Sequence, residues 1–511
     1  MATMLDNQSV LDSPDWTLRL KPESRHELSK VRQLYLALYE AITSGELTQE
    51  QRLPSSRDLA TQLGIGRNTV IAAYGQLDDE CLISSSGRRG TRVTYSGAYR
   101  STTTTDNNTK IIDQPARTTS RKSRYSLQSS SGGPLLAPGM PDPELFPQSA
   151  WRKALNKASR LPPDELGYKG LPLPQLQSAV ARFLAIYRSL RVDPEQIIIT
   201  SGTRQSLNLA ATLYTDPGAC AWLESPGYRG AAEAFHLHGL TLKAMTVDTH
   251  GSRPPNPALQ STPSLIYLTP CFQYPSGVAL TADRREQFLR HAKATGAVIF
   301  EDDYDSEFRD ASEARPALAS QTIGNTAPTV LHAGTFSKLI FPAARVAWLV
   351  VPREHASQAQ QCLQMLGGGH NSVAQATVAE LLANGAVSRH LQRARGVYAR
   401  RRAALIDALN ATDLFHTLED TGGSLSMITT LKTSVDASRL SQALQKRSLG
   451  VQTLESLTWH EPSPGEVGAL VLGLGNVKTL MVPETVDLLA DAIKMADLPC
   501  SVNNLTANST C

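Results

Sequence analysis

Apolar positions change their spacing along this chain, and the change divides it. Val31, Tyr35, Leu38 and Ile42 recur on one helical face, and Gly45 closes that run. Leu53-Pro54 leads into Ser55 with Asp58 three residues later, a capping-box pattern that opens a second helix through Leu63. Gly64-Ile65-Gly66 makes a tight turn. A third helix is predicted from Arg67-Asn68-Thr69, with Val70, Tyr74 and Leu77 turned inward. Leu82-Ile83 and Thr91-Arg92-Val93 predict two short strands around Gly87-Arg88-Arg89-Gly90. Helix, glycine turn, helix and then a strand pair is the grammar of a helix-turn-helix with a wing.

Farther on, the period shifts to short continuous apolar runs. They are Ile197–Ile199, Ala219–Leu223, Leu265–Leu268, Ala297–Phe300, Thr329–Leu331 and Val346–Val351, and helical patterns such as Arg284 to Lys293 lie between many of them. Unbroken apolar runs suit strands covered on both faces, and their alternation with helices suits an α/β sheet. From about Gly385 to Leu498 helical patterns dominate, which predicts a smaller second lobe.

Between these regions the composition changes. Ser101-Thr-Thr-Thr-Thr105 and Ser129-Ser-Ser-Gly-Gly133 bracket a stretch too poor in apolar residues to offset its ordering entropy. The expected organisation is an arm (1–27), a winged helix-turn-helix (28–95), a flexible linker (96–133), an α/β domain with a smaller α+β lobe (134–500) and a polar tail (501–511). Arg117, Arg121, Lys122 and Arg124 in the linker read as a solvated charge run.

The 511 residues are too many for one ordinary core, and 41% hydrophobic with 19% charged residues is a globular balance. A net charge of +3 neither implies nor excludes nucleic acid, so a case for DNA has to be local. The six cysteines show no metal-like spacing, and Met1–Asp15 does not read as a signal peptide. A cytoplasmic protein with reduced thiols, no metal and no membrane association is expected.

Local chemistry supplies the DNA case. Arg67, Asn68 and Thr69 open the third helix, at the end a recognition helix inserts into the major groove. Arg57 and the wing residues Gly87, Arg88 and Arg89 fall where phosphates or the minor groove would be met. The stretch Leu53-Pro-Ser-Ser-Arg57-Asp-Leu-Ala60, Gly66-Arg-Asn-Thr-Val70, Ala73-Tyr74 and Leu77 resembles the winged-helix domain of the GntR repressors over Leu34 to Val93. Cys81 departs from it, because that family has glycine before the wing strand.

In the larger region, strand runs end on chemistry. One runs into Glu301-Asp-Asp-Tyr-Asp305, one into Gly334-Thr-Phe-Ser-Lys338 with Arg345 seven residues later, and one into Ser201-Gly202-Thr203-Arg204 before an apolar helix, a turn suited to phosphate. Taken singly, each has an ordinary structural explanation. Together with Glu224-Ser-Pro-Gly-Tyr228 and Thr269-Pro-Cys-Phe-Gln-Tyr-Pro-Ser-Gly277 they resemble fold type I (class I) aminotransferases. More closely they resemble the MocR subfamily of GntR regulators, which fuse such a domain to a winged helix.

That resemblance implies pyridoxal 5'-phosphate as cofactor and a homodimer on an operator in double-stranded DNA. Lys338 would form the Schiff base, and Asp302 would face the pyridine nitrogen, with adjacent Asp303 left open as the alternative. Tyr304 would hydrogen-bond the ring hydroxyl and Tyr228 would stack on the ring. Arg345, Thr335, Ser337 and the Gly202, Thr203 and Arg204 amides would hold the phosphate.

Departures cluster on the amino-acid side. Phe272 stands where the family has histidine, and Gly167-Tyr168-Lys169-Gly170 lacks the aspartate of the family's tyrosine loop. Neither Gly422–Ser426 nor Leu472–Asn476 carries an arginine to grip a carboxylate. The expected function is a regulator that senses the cofactor, or an amine or amino-acid effector bound without that grip, and thereby controls vitamin B6 metabolism. The alternatives are Arg229 as the missing grip, and a working aminotransferase with an accessory DNA-binding domain.

Overall fold

The structure, a computed structural model, describes residues 28–86, 90–95, 135–166, 172–255, 261–309, 315–322, 327–368, 371–418, 422, 424–460 and 465–497. The expected arm, linker and tail, the wing tip Gly87-Arg88-Arg89 and the loop 167–170 lie outside these. The chain divides into two compact units, residues 1–117 and 118–511.

The first unit packs three helices, α1 (Lys30–Thr43), α2 (Ser56–Leu63) and α3 (Arg67–Asp79), against a small antiparallel sheet. Leu34, Leu38, Leu59, Val70 and Leu77 meet in its core, as the helical spacing requires. Ser55 caps α2: its Oγ accepts from Asp58 N at 3.2 Å and donates to the Asp58 carboxylate at 2.6 Å. Gly64 takes the left-handed conformation at the end of α2 (φ 63°), which turns the chain sharply into α3. The Tyr74 hydroxyl donates to Pro54 O at 2.9 Å and fixes α3 against the start of α2.

The wing strands β2 (Ile83–Ser86) and β3 (Gly90–Val93) pair from Ile83↔Val93 to Ser86↔Gly90. On the other edge of β3 lies β1 (Arg52–Leu53), paired Arg52↔Arg92, which the sequence reading did not anticipate. Two residues are too few to show a period.

The second unit is built on seven strands. In chain order its large lobe contains α4 (Gln148–Ala158), α5 (Pro174–Tyr187), β4 (Ile197–Thr200), α6 (Thr203–Tyr214), β5 (Cys220–Glu224), α7 (Arg229–Leu237) and β6 (Thr241–Met245). A small pair, β7 (Val247–Asp248) and β8 (Gly251–Ser252), follows. Next come β9 (Leu265–Leu268), α8 (Ala282–Thr295), β10 (Val298–Asp303), β11 (Val330–Thr335), the one-turn α9 (Phe336–Leu339), β12 (Ala347–Val350), α10 (Ala356–Met365) and α11 (Ser372–Ala383).

The sheet order is β4-β12-β11-β10-β9-β5-β6. β12 runs antiparallel to both of its neighbours, and the remaining pairs are parallel. Most of the six apolar runs are wholly buried strands, such as Ile197–Thr200 and Leu265–Leu268. β6 was missed because it is an edge strand in which exposed and covered positions alternate. β10 is longer than its apolar run: Glu301, Asp302 and Asp303 continue the strand and are buried.

The 25-residue α12 (Ala386–Asn410) leads to the small lobe. That lobe has a three-stranded antiparallel sheet of β13 (Ser426–Asp436), β15 (Glu466–Gly473) and β14 (Gln452–Thr453), with helices α13 (Ala437–Lys446) and α14 (Val482–Asp497). Among the described residues no helix is long and apolar enough to cross a membrane.

Gly334 on β11 is set by close approach. A Cβ there would lie 2.2 Å from Cζ2 of the fully buried Trp348 on β12. We expect Gly334→Ala to lower stability by about 1–3 kcal/mol, since an overpacked core has to shift backbone or ring. Urea denaturation measures this, and a midpoint equal to wild type would contradict the packing described.

Candidate functional site

The carboxyl ends of β10, β11 and β4 converge, and the termini of these strands place the site. Thr335 ends β11 and caps α9: its Oγ1 accepts from Ser337 N at 3.1 Å and donates to Ser337 Oγ at 3.0 Å. One residue on is Lys338, whose side chain is 20% exposed. Its ammonium sits over the Tyr304 ring, 4.1 Å from the centroid, and 3.3 Å from Asp305 Oδ1. Gly139, on a segment passing beside it, would bring a Cβ within 3.6 Å of the lysine Cε.

Alternation along β10 sorts its acids. Glu301 and Asp303 share one face with His332 of β11, where Arg188 pairs with Asp303 and His332 Nδ1 lies 3.2 Å from Glu301. Burial would raise the Glu301 pKa, but the His332 hydrogen bond and charge and the Arg188 charge outweigh it and hold Glu301 at about 2. Asp302 points to the opposite face. Its Oδ2 accepts from the Tyr267 hydroxyl at 2.8 Å, while its Oδ1 is buried without a hydrogen-bond partner among the described residues. Burial pushes Asp302 up to about 7, against the opposing hydrogen bond from Tyr267 and the charge of Lys338. The geometry therefore separates the two adjacent aspartates that the sequence left open. Asp303 is committed to the Arg188 guanidinium, whereas Asp302, on the other face, has no ion pair among the described residues and keeps Oδ1 without a hydrogen bond.

A third group of residues gathers at the start of α6. Gly202 has φ 153° and ψ 169°, a region that side chains essentially exclude. A Cβ on it would meet the Arg345 guanidinium at 3.7 Å. Arg345 is exposed, with left-handed backbone (φ 49°), and makes no hydrogen bond to another described residue. Thr203 and Arg204 open the helix, and their amides belong to the first turn, whose N–H groups have no partner within a helix. The Arg204 side chain turns away to Glu233 at 2.7 Å and to the Tyr228 hydroxyl. Tyr228, Tyr274 and Tyr304 stand edge to face, with centroids 6.5 and 5.9 Å apart, and form an aromatic wall.

Lys338, Asp302, Tyr304, Thr335 and Ser337 thus come together at the ends of β10 and β11, with Tyr228 on the adjoining wall. Gly202, Thr203, Arg204 and Arg345 form the cationic, amide-lined end. Tyr267 and Asp305 were not singled out by sequence reasoning. Tyr267 carried no signal beyond its place in an apolar strand, whereas Asp305 lay inside a motif already noted.

On the departing side, Phe272 is buried beneath the Arg309 guanidinium, 4.5 Å from the ring centroid. Arg229 donates to Ser456 O at 2.8 Å, Arg401 pairs with Asp142 and donates to Gly475 O, and Arg402 donates to Ser424 O. Arg447, half-buried just past the end of α13, donates to Ala443 O at 3.3 Å and to Met495 Sδ at 2.9 Å.

In the first unit, Arg57, Arg67 and Asn68 are exposed and Thr69 is half-buried. Gly66 caps α3 without any side-chain bond, which leaves the helix start open. Arg67 Nε reaches Ser56 Oγ at 3.4 Å, bringing the starts of α2 and α3 together.

Two family models match. Residues 30–93 match the bacterial regulatory proteins of the gntR family, and residues 139–465 match aminotransferase class I and II. The probable rhizopine catabolism regulatory protein MocR of Rhizobium meliloti is 30% identical over 469 residues, covering 90% of this chain and 93% of that protein. The HTH-type pyridoxine biosynthesis transcriptional regulator PdxR of Corynebacterium glutamicum is 32% identical, covering 77% of this chain and 82% of its own length. Among solved structures, the α-aminoadipate aminotransferase LysN of Thermus thermophilus, complexed with N-(5'-phosphopyridoxyl)-L-leucine, is similar with a TM-score of 0.62. It is 27% identical and covers 70% of this chain and 91% of the enzyme. A winged helix-turn-helix and an aminotransferase fold in one chain, matched along nearly its full length by a regulator of the same build, mean that the chain belongs to the MocR-type GntR transcription regulators.

Proposed function

We propose that this protein regulates transcription by binding DNA through its winged helix and pyridoxal 5'-phosphate through its aminotransferase domain, so that the state of the second site governs use of the first. The observation that carries this reading is the buried Asp302 Oδ1, which has no hydrogen-bond partner among the described residues, on a carboxyl that feels the charge of Lys338. A buried carboxylate oxygen without a donor is costly. A pyridine nitrogen bearing a proton would satisfy it, and the Lys338 amine is placed to hold the aldehyde carbon. The open α6 amides and Arg345 suit a phosphate, with Gly202 leaving room for it. Tyr304, Thr335, Ser337 and Tyr228 complete the cradle. When bound, the cofactor supplies an electrophilic carbon and an electron-poor ring.

The fit of one cofactor to these groups, and the relative named for pyridoxine biosynthesis, support control of vitamin B6 metabolism. The commitment of Arg229, Arg401 and Arg402 to carbonyls supports an effector recognised without an arginine–carboxylate pair, either the cofactor alone or an amine. A homodimer on paired half-sites is the assembly proposed for DNA binding, and the bacterial cytoplasm is the compartment. Occupancy can move the DNA equilibrium only by favouring one arrangement of the dimer over another.

Three outcomes are expected. Added pyridoxal phosphate gives wild type an absorbance band at the edge of the visible that Lys338→Ala lacks; an identical band in the variant would remove Lys338 from the site. The second concerns pH. Asp302 titrates near 7 in the cofactor-free fold but near the usual carboxylate value of about 3.9 when unfolded. Its contribution is full below about pH 4 and is lost as pH rises through about 7. Urea midpoints of wild type should therefore fall across that window relative to Asp302→Asn, and parallel curves would refute the burial argument. Third, Arg57→Ala and Arg67→Ala should each weaken binding to duplex DNA and lower the slope of log affinity against log salt by about 1. Unchanged slopes would place the DNA surface elsewhere.

A further inference from the structure

Asp305 follows the end of β10 and is 1% exposed. Its two oxygens face different parts of the domain. Among the described residues, Oδ1 accepts no hydrogen bond and meets the Lys338 ammonium at 3.3 Å. Oδ2 accepts from Leu425 N at 3.0 Å and from Ser424 Oγ at 3.2 Å. Ser424 and Leu425 belong to the turn that enters β13 of the small lobe, and that turn is anchored there by Leu474 N donating to Leu425 O at 2.9 Å. One carboxylate therefore links the reactive amine of the large lobe to the entry turn of the small lobe.

We infer that Asp305 is a positioning residue that couples the chemical state of Lys338 to the seating of the small-lobe turn at Ser424–Leu425. The inference rests on the proposed binding of an aldehyde cofactor at Lys338. When that bond forms, the aldehyde carbon becomes doubly bonded to Nζ. The carbonyl oxygen leaves as water with two protons of the ammonium, and the nitrogen keeps one proton and the positive charge. Asp305 Oδ1 then faces a nitrogen held by the cofactor and stripped of two of its three donors. A fully buried carboxylate cannot turn to water for compensation, so its charge falls more heavily on its remaining charge-assisted bonds. Those are the Leu425 amide and the Ser424 hydroxyl. Occupation of Lys338 therefore draws the small-lobe turn more tightly onto the large lobe, with no new contact between the ligand and the turn.

A carboxylate that merely caps the turn would behave differently, because its hold on Leu425 would not depend on the lysine. Hydrogen exchange of the Leu425 amide separates the two roles, read in the full-length protein with and without pyridoxal phosphate while absorbance reports the lysine bond. In wild type, exchange should slow about tenfold on cofactor addition. In Asp305→Asn, which keeps an acceptor but not the charge, the band should still form and the slowing should shrink to less than twofold. Lys338→Ala without cofactor removes the cation directly and should already show the slow exchange of loaded wild type; this arm does not depend on Asp305→Asn folding. A band in wild type with no change at Leu425, or an undiminished response in Asp305→Asn, overturns the coupling and leaves the cofactor reading standing. Failure of wild type to form a band overturns the cofactor reading and the coupling with it.

Discussion

The second unit is organised by the cost of burying carboxylates. Glu301, Asp302, Asp303 and Asp305 lie within five consecutive residues at the end of one central strand, all nearly or fully inaccessible. Water cannot solvate them, so each dictates what stands opposite. Glu301 accepts the Leu318 and Ala319 amides at 2.7 and 3.0 Å and faces His332, which fixes the 318–319 turn. Asp303 requires the guanidinium of Arg188, delivered from the far end of α5. Asp305 takes the lysine and the small-lobe turn. Asp302 has no cation paired with it among the described residues and keeps Oδ1 without a hydrogen bond, on the face where the cofactor chemistry is proposed. The pleat of β10 turns Glu301 and Asp303 to one face and presents Asp302 on the other.

This sorting explains how much could be read in advance. The helix-turn-helix was legible because its helices begin and end on strong local signals: Ser55 with Asp58, Gly64, and an apolar stripe through Val70, Tyr74 and Leu77. The central strands were legible because they are covered on both faces. What local pattern could not show was pairing at long range. Nothing in the sequence near Asp303 points to Arg188, more than a hundred residues earlier, and nothing near Asp302 points to Tyr267. Strand β6, at the sheet edge, has the mixed pattern of a half-exposed segment. The burial of Glu301–Asp303 could not be read locally, because acids are rarely buried and only distant partners make it possible.

The amino-acid side of the site shows the same distinction between residue type and commitment. Arginines are present around the small lobe, but those at 229, 401 and 402 hold main-chain carbonyls and thereby fasten its turns. Fastening and ligand recognition draw on the same guanidinium donors, and here the structural demand takes them. Phe272 beneath Arg309 fits this trend, because an apolar ring stacked on a cation takes no part in proton transfer.

The reversed direction of β12 has a consequence of its own. Because β11 leaves the sheet at Thr335 and β12 re-enters beside it at Ala347, the segment between them is a closed loop with both ends clamped by the same ladder. Lys338 lies near its beginning and Arg345 near its end. For the proposed cofactor, the amine and the guanidinium would be the two jaws of a caliper whose opening the β11–β12 ladder sets. Such a caliper would favour molecules whose span from electrophilic carbon to anionic end matches that opening. Residues far from both jaws, wherever they alter the β11–β12 ladder, would recalibrate it.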